Sequence, residues 1–423
     1  MPGRTWFSAL IVCVLALSGS LPAVAANAAL PVDMLQQYLD DAVASGAPGI
    51  VLAVSDHGDQ WAGVAGYSSI EHRQELRIED SFPVFSVTKT FTAVAALQLV
   101  EEGVLSLDDR LGELLPATNQ PAAYDQIPYV RQITIRELLN HTSGIYDYGN
   151  SMEYLLATVG NGADFSREWQ DEDIFSYAHA DRNAPAGEPG SVVSYSSTGY
   201  RLLGLVIEAI ENKPLAKVLE ERIVVPLGLS STYLPSYENW RAADVTGYIK
   251  VNDEMRQMGI AGDFPAARND LVNATQGLRS RQGMNRGEDG AVSTAASLMK
   301  FATALFEGRL LSDAMLDEML SADWDQSVQN GRQFGLGVHL VTDGTRRWAL
   351  MFGNGAGGEA LVGRELNSGL TFVALTNVFG AGVTDRILES FQSLALESIG
   401  SYTAAGASAI ERQHAWHDFC PEY

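Results

Sequence analysis

The sequence predicts an α+β protein, of the α/β class in the broad sense: an antiparallel sheet flanked by helices, with an all-helical domain inserted into the chain. Three observations lead there. Segments of strand composition with hairpin turns lie near both ends of the chain, at 49–67 and 334–378. Between them the apolar residues recur at helical spacing. The 423 residues, 46% of them hydrophobic, suffice for two packed cores.

Residues 1–28 read as a leader removed on export. Arg4 precedes an apolar run at 6–17, followed by Gly19, Pro22 and the small residues Ala23, Val24 and Ala25. The run is shorter than the roughly 20 apolar residues that span a bilayer, so no stable membrane anchor is expected once cleavage at Ala25 or Ala28 has occurred. Ile50, Val51, Leu52 and Val54 then give a strand, 56–59 a turn, and Trp61, Val64 and Gly66 a second strand. Phe91, Val94, Ala95, Leu97 and Val100 form a helical stripe that Gly103 ends. Thr134 and Glu137 are spaced as a capping box over Ile135, Leu138 and Leu139. Helices follow at 200–210 and 215–224, bounded by Pro214 and by Pro226, Leu227 and Gly228.

Residues 236–290 lack such periodicity and read as a long variable insertion that shapes a binding surface. Ser293 and Thr294 open another helix with Leu298, Phe301 and Leu305. Strands are expected at 334–341 and 346–352 around a turn at 342–344, and at 361–365 and 370–378 around a turn at 367–369. The resulting division is a discontinuous sheet domain, 29–85 with 291–400, a mainly helical domain, 86–290, and a tail, 401–423.

Charge and cysteine content narrow the partners. Fifty-two acidic against 28 basic residues give a net charge of -24, a field that repels nucleic-acid phosphates and anionic lipid headgroups. Nucleic acid is therefore excluded. The two cysteines, Cys13 and Cys420, supply neither a disulfide framework nor a thiolate zinc cage. His414 and His417 lie one helical turn apart without a third ligand nearby, so no metal is expected. The leader places the mature protein in the periplasm or outside the cell.

The chemistry concentrates at 82–89, where an apolar extended run turns into the first long helix. Three-residue spacing puts Ser86 and Lys89 on one helix face. A serine hydroxyl needs a base to become a nucleophile, and an amine in apolar surroundings loses enough of its pKa to help. The helix N-terminus favours alkoxide and oxyanion. A Ser-x-x-Lys pair alone fits a helix cap beside a solvated lysine equally well.

Its context points further. Ser86-Val87-Thr88-Lys89, with a helix ending in Glu-Glu-Gly-Val-Leu-Ser-Leu-Asp-Asp at 101–109, resembles the nucleophile helix of serine β-lactamases and penicillin-binding proteins. The likeness is strongest to the group of class C β-lactamases, D-alanyl-D-alanine carboxypeptidases and related esterases. Residues 133–145, Tyr195-Ser196-Ser197-Thr198-Gly199-Tyr200, 226–229, 290–294 and 352–358 match that family's pattern in order.

The resemblance implies a β-lactamase/transpeptidase-like fold, with Ser86 acylated, Lys89 as its proton partner and Tyr195 as the tyrosine of a Tyr-x-Asn motif, a phenol made useful by the neighbouring cation. It implies an oxyanion hole from the backbone N–H groups of Ser86 and Gly357, and no metal or organic cofactor. Two positions depart from the pattern. Ser197 stands where the family has asparagine, and Asn354-Gly355-Ala356 where it has Lys-Thr-Gly or His-x-Gly. A neutral Asn354 lacks the charge-assisted grip on a substrate carboxylate, for which Arg364, Arg279 and Arg281 are the candidate substitutes.

The expected function is thus an exported serine hydrolase that cleaves a small ester, amide or peptide through an acyl-enzyme on Ser86, as an esterase or amidopeptidase. The alternatives are a D-alanyl-D-alanine carboxypeptidase or β-lactamase, and a catalytically weakened penicillin-binding-like module. His141 is expected to serve as a structural hydrogen-bonder, and the glycosylation pattern at Asn140-His141-Thr142 as a coincidence of the 133–145 hallmark.

Overall fold

The structure, a computed structural model, describes residues 30–117, 124–236, 241–321 and 332–397. The expected leader, the tail, Cys13, Cys420, His414 and His417 lie outside the described residues. The two chain ends build one sheet. Its eight strands run in the order β3-β2-β1-β13-β12-β11-β10-β9. These are β1 (Gly49–Asp56), β2 (Asp59–Ser69), β3 (Gln74–Glu75), β9 (Arg332–Phe334), β10 (His339–Asp343), β11 (Arg346–Gly355), β12 (Gly358–Glu365) and β13 (Thr371–Thr376). Neighbours are antiparallel, with Ile50 opposite both Ala65 and Thr376. The β1–β2 turn takes two residues, His57 and Gly58, at φ 48° and 94°, the positive values that a twisted two-residue hairpin demands.

Each face of the sheet buries its own core. Helix α1 (Val32–Ala44) and the helix Val383–Glu397 cover Ile50, Leu52, Trp348, Leu350 and Phe372. On the other face α2 (Thr88–Glu101) and the helix Ala295–Phe306 cover Val51, Ala349, Met351 and Val373. Every residue of α2 from Thr88 to Leu97 is buried, including Lys89, as expected of a helix apolar nearly all round. The Phe91 ring stacks on Phe301 with centroids 3.8 Å apart. Gly103, at φ 71°, lies just beyond its end, and Thr134 and Glu137 form the expected capping box.

Two segments differ from expectation. The single strand expected at 334–341 is a tight hairpin, because Gly337 at φ 94° reverses the chain. The Gly337 carbonyl accepts the Thr90 hydroxyl at 2.7 Å, and a Cβ there would lie 2.2 Å from that of Ala93, so the loop is fitted to α2. The region 236–290 is not featureless either. Its strands β5 (Tyr248–Lys250), β6 (Ala266–Arg268) and β7 (Leu271–Asn273) join β14 (Val378–Phe379) in a four-stranded sheet, ordered β14-β5-β7-β6. Strands of three residues are too short to show a period in sequence. Two further short strands, β4 (Phe82–Pro83) and β8 (Val292–Ser293), pair just ahead of α2.

Candidate active site

Ser86 lies in a 3-10 turn, Phe85–Val87, that leads directly into α2. Phe85 adopts φ 47°, a left-handed conformation that costs a non-glycine residue of order 1–3 kcal/mol. Packing holds it there. Glycines of β11 and β12 make room for the turn: a Cβ at Gly355 would come within 2.7 Å of the Phe85 ring, and one at Gly353 within 2.2 Å of the Val84 carbonyl and 3.0 Å of the Ser86 nitrogen. Thr88 ties the turn to its neighbours, donating to the Phe85 carbonyl and accepting the Ala291 N–H.

Lys89 reaches back across one turn. Its Nζ donates to Ser86 Oγ at 3.0 Å, to Ser197 Oγ at 3.2 Å and to the Glu288 carbonyl at 2.6 Å. It also lies 4.8 Å from the centroid of the Tyr195 ring, in cation–π range. Burial pulls the Lys89 pKa below its ordinary value, while the carboxylates of Asp147, Asp289 and Glu288 oppose that pull. Ser197 opens the helix Ser197–Glu211, and Ser196 caps it by accepting the Gly199 N–H.

Tyr195 stands between Lys89 and an aromatic wall. Its ring packs 4.3 Å from His141 and lies 6.3 and 6.4 Å from Phe334 and His339. His141 is buried and accepts the Ser196 N–H on Nδ1 at 3.1 Å. Burial, reinforced by the positive charge of Lys89, pushes its pKa well below the usual histidine value, so the ring is neutral and fixes the backbone next to Tyr195. Asn140, 1% exposed, uses its side-chain oxygen on Thr142 and offers no surface to a glycan.

A narrow cleft opens between these elements, lined by Ser86, Lys89, Tyr195, His339, Met351 and Phe352 among others. Behind it Arg201 and Glu288, both fully buried, form an ion pair, and Asp171 pairs with both Arg201 and Arg286. The 286–290 segment, placed by sequence in a variable insertion, is thus wired to the nucleophile helix through the Glu288 carbonyl.

The structure brings Ser86, Lys89, Tyr195 and Ser197 together. It does not bring Asn354 or Gly357 to them. Strand alternation puts Met351, Gly353 and Gly355 on the face that meets Phe85 and Ser86, and Asn354 on the opposite one. Gly357 lies in the β11–β12 turn, where its Cα faces Gly247, and a Cβ on it would meet Gly247 and Leu278. The glycine beside the Ser86 amide is Gly353. Met351, two residues earlier on the same face of β11, lines the cleft with a thioether.

The arginines do not compensate. Arg364 is bound to the Gly369 carbonyl and Thr371 in the β12–β13 hairpin, and Arg281 is half-buried against Tyr154 and Asp289. The side chain of Arg279 lies outside the described residues. Among the described residues lining the cleft, the only lysine or arginine is Lys89.

The Beta-lactamase family model matches residues 35–396. Penicillin-binding protein 4 of Amycolatopsis lactamdurans is 29% identical over 81% of this chain and 80% of its own length. A D-stereospecific amidohydrolase from Streptomyces sp. superposes with a TM-score of 0.69 at 28% identity, over 87% of this chain and 98% of its own. Esterase EstB of Burkholderia gladioli is 31% identical over 46% of this chain and 49% of its own length.

Proposed function

The chain belongs to the Beta-lactamase family and is a serine hydrolase of that superfamily, and on this premise we propose that it is exported and cleaves small, uncharged esters or amides through an acyl-enzyme on Ser86. The observation that carries the substrate class is that Lys89 is the only lysine or arginine among the described residues lining the cleft. Met351 brings a thioether and no charge to the cleft, and the rest of the described lining is aromatic, histidine or apolar apart from Thr90 and the catalytic groups. Neutral acyl groups suit such walls.

In this reading Tyr195 is held as a phenolate by the ammonium of Lys89, and it takes the serine proton as Ser86 Oγ attacks the carbonyl carbon. The carbonyl oxygen becomes an oxyanion held by the Ser86 N–H, at the positive end of α2, and by the edge of β11 at Gly353, beyond the last β10 pair His339–Leu350. Tyr195 returns the proton to the leaving group. Water then repeats the sequence on the acyl-enzyme and releases the acid. The export proposal rests on the leader pattern at 1–28; N-terminal sequencing of protein recovered from the producing cells should begin after Ala25 or Ala28.

One experiment tests the chemistry. The protein is incubated with a fluorophosphonate and, separately, with a labelled penicillin; adducts are mapped by mass spectrometry, and p-nitrophenyl esters are assayed beside nitrocefin and D-Ala-D-Ala peptides. A fluorophosphonate adduct on Ser86 with ester turnover is expected. Absence of any Ser86 adduct and of turnover sinks the hydrolase reading. The penicillin-binding relative supports one rival, a D,D-carboxypeptidase or β-lactamase, and penicillin labelling with peptide cleavage decides for it.

The strand register adds a sharper prediction. Met351→Lys should improve kcat/KM for an ester bearing a carboxylate about tenfold relative to its neutral analogue, the worth of one charge-assisted hydrogen bond of about 1.4 kcal/mol. Asn354→His, on the other face of β11, should not change that ratio. Selectivity gained by Asn354→His and not by Met351→Lys reverses the register argument.

A further inference from the structure

The ammonium of Lys89 has three N–H donors, and three oxygens accept them: Ser86 Oγ, Ser197 Oγ and the Glu288 carbonyl. A hydroxyl that accepts from Lys89 must send its own proton elsewhere. For Ser197 that direction leads to Asp147, whose Oδ2 lies 3.5 Å from Ser197 Oγ. The Ser197 backbone N–H also donates to this carboxylate, and the Gly149 N–H fixes Oδ1 at 2.9 Å.

Asp147 differs from the other acids around Lys89. From the loop after the helix Ile135–Leu139, Lys89 faces Asp147 and His141; from the 286–290 segment, Glu288 and Asp289; from the 195–200 segment, Tyr195 and Tyr200; and across the cleft, His339. Glu288 is paired with Arg201, and Asp289 is opposed by Arg281. Asp147, 7% exposed, has no salt bridge among the described residues, and the one cation acting on it is Lys89. A buried carboxylate left in that state is costly unless its neighbours answer it.

We propose that Asp147 is a positioning residue for acylation, orienting the Ser197 hydroxyl so that a lone pair faces Lys89 and supplying the buried anion opposite the ammonium. The Ser197–Asp147 pair thereby does the work of the asparagine that this chain lacks. The amide oxygen of an asparagine would accept from Lys89 directly, whereas serine accepts only if its proton is drawn the other way. This proposal rests on the reading of Ser86 as the acylated nucleophile.

The test is the pH profile of fluorophosphonate labelling of Ser86, with wild type, Asp147→Asn, Ser197→Ala and the double variant. An asparagine at 147 still accepts the Gly149 N–H, so the local turn is kept. It no longer presents a carboxylate to Ser197 and Lys89. Asp147→Asn should slow labelling roughly 10- to 100-fold, in the range of one charged hydrogen bond. Removing the anion disfavours the ammonium, so the alkaline limb of the profile should move down by about one pH unit. Ser197→Ala should slow labelling similarly, and the double variant should be no slower than the worse single variant.

An unshifted limb in Asp147→Asn, or additive losses in the double variant, overturns the proposal while wild-type labelling upholds the nucleophile. If Asp147→Asn fails to fold, the Ser197→Ala profile decides alone: an unshifted alkaline limb there overturns the proposal. No labelling of wild type at Ser86 overturns both the nucleophile and its positioning.

Discussion

Ser86→Ala should remove covalent labelling and lower kcat by about 10⁵-fold, as loss of a nucleophile does in serine hydrolases, while leaving the fold intact. The hydroxyl contributes one hydrogen bond to the structure, the one it accepts from Lys89. Lys89 keeps Ser197 and the Glu288 carbonyl as acceptors, and the Phe85–Val87 turn is held by Thr88 and by the β11 glycines rather than by Ser86. Circular dichroism and a melting temperature within a few degrees of wild type would show that the loss is chemical. Residual turnover within tenfold of wild type, or an adduct on another residue, would move the nucleophile elsewhere.

The parts of this site that are legible in sequence are those written within one turn or one motif. Ser86 and Lys89 lie three residues apart at the start of one helix, and Tyr195 precedes a helix whose apolar stripe is visible. Asp147 is different. It meets Ser197 fifty positions away, and only the packing of the 145–150 loop against the Ser197 helix joins them. The Glu288 carbonyl is equally silent, since a backbone oxygen has no sequence signature.

The run at 353–358 misleads for another reason. It offers glycines at 353, 355, 357 and 358, and which of them meets the nucleophile depends on strand phase. Period-two alternation of Gly353 and Gly355 is a signal that a strand face is being kept bare. The ladder pairing of Gly353 with Ala360 and of Gly355 with Gly358 shows where the strand stops and the turn begins, and with it that Gly357 belongs to the turn. A one-residue error in that count puts Asn354 on the face of Met351 and reverses the inferred chemistry of the subsite.

Gly353→Ala and Gly357→Ala separate these assignments. A Cβ on Gly353 would lie 2.2 Å from the Val84 carbonyl and 3.0 Å from the Ser86 nitrogen, both of them backbone atoms. Neither can rotate away, so β11 or the Phe85–Val87 turn must move. A displacement near 1 Å at a reacting group costs about 10²-fold in rate, and overpacking about 1–3 kcal/mol in stability. Gly353→Ala should therefore lower kcat for a neutral ester by about 10²-fold or more, with a smaller fall in melting temperature than that loss suggests. Gly357→Ala pays differently: its φ of 120° strains any side chain, and the new Cβ would meet Gly247 at 3.2 Å. It should lower the melting temperature yet keep the rate of Ser86 labelling within a few-fold, because nothing it displaces touches Val84 or Ser86. Fluorophosphonate labelling rates of the two variants, measured well below both melting temperatures, discriminate. If Gly357→Ala abolishes labelling while Gly353→Ala spares it, the oxyanion position belongs to the turn, and Met351 loses its claim to the subsite.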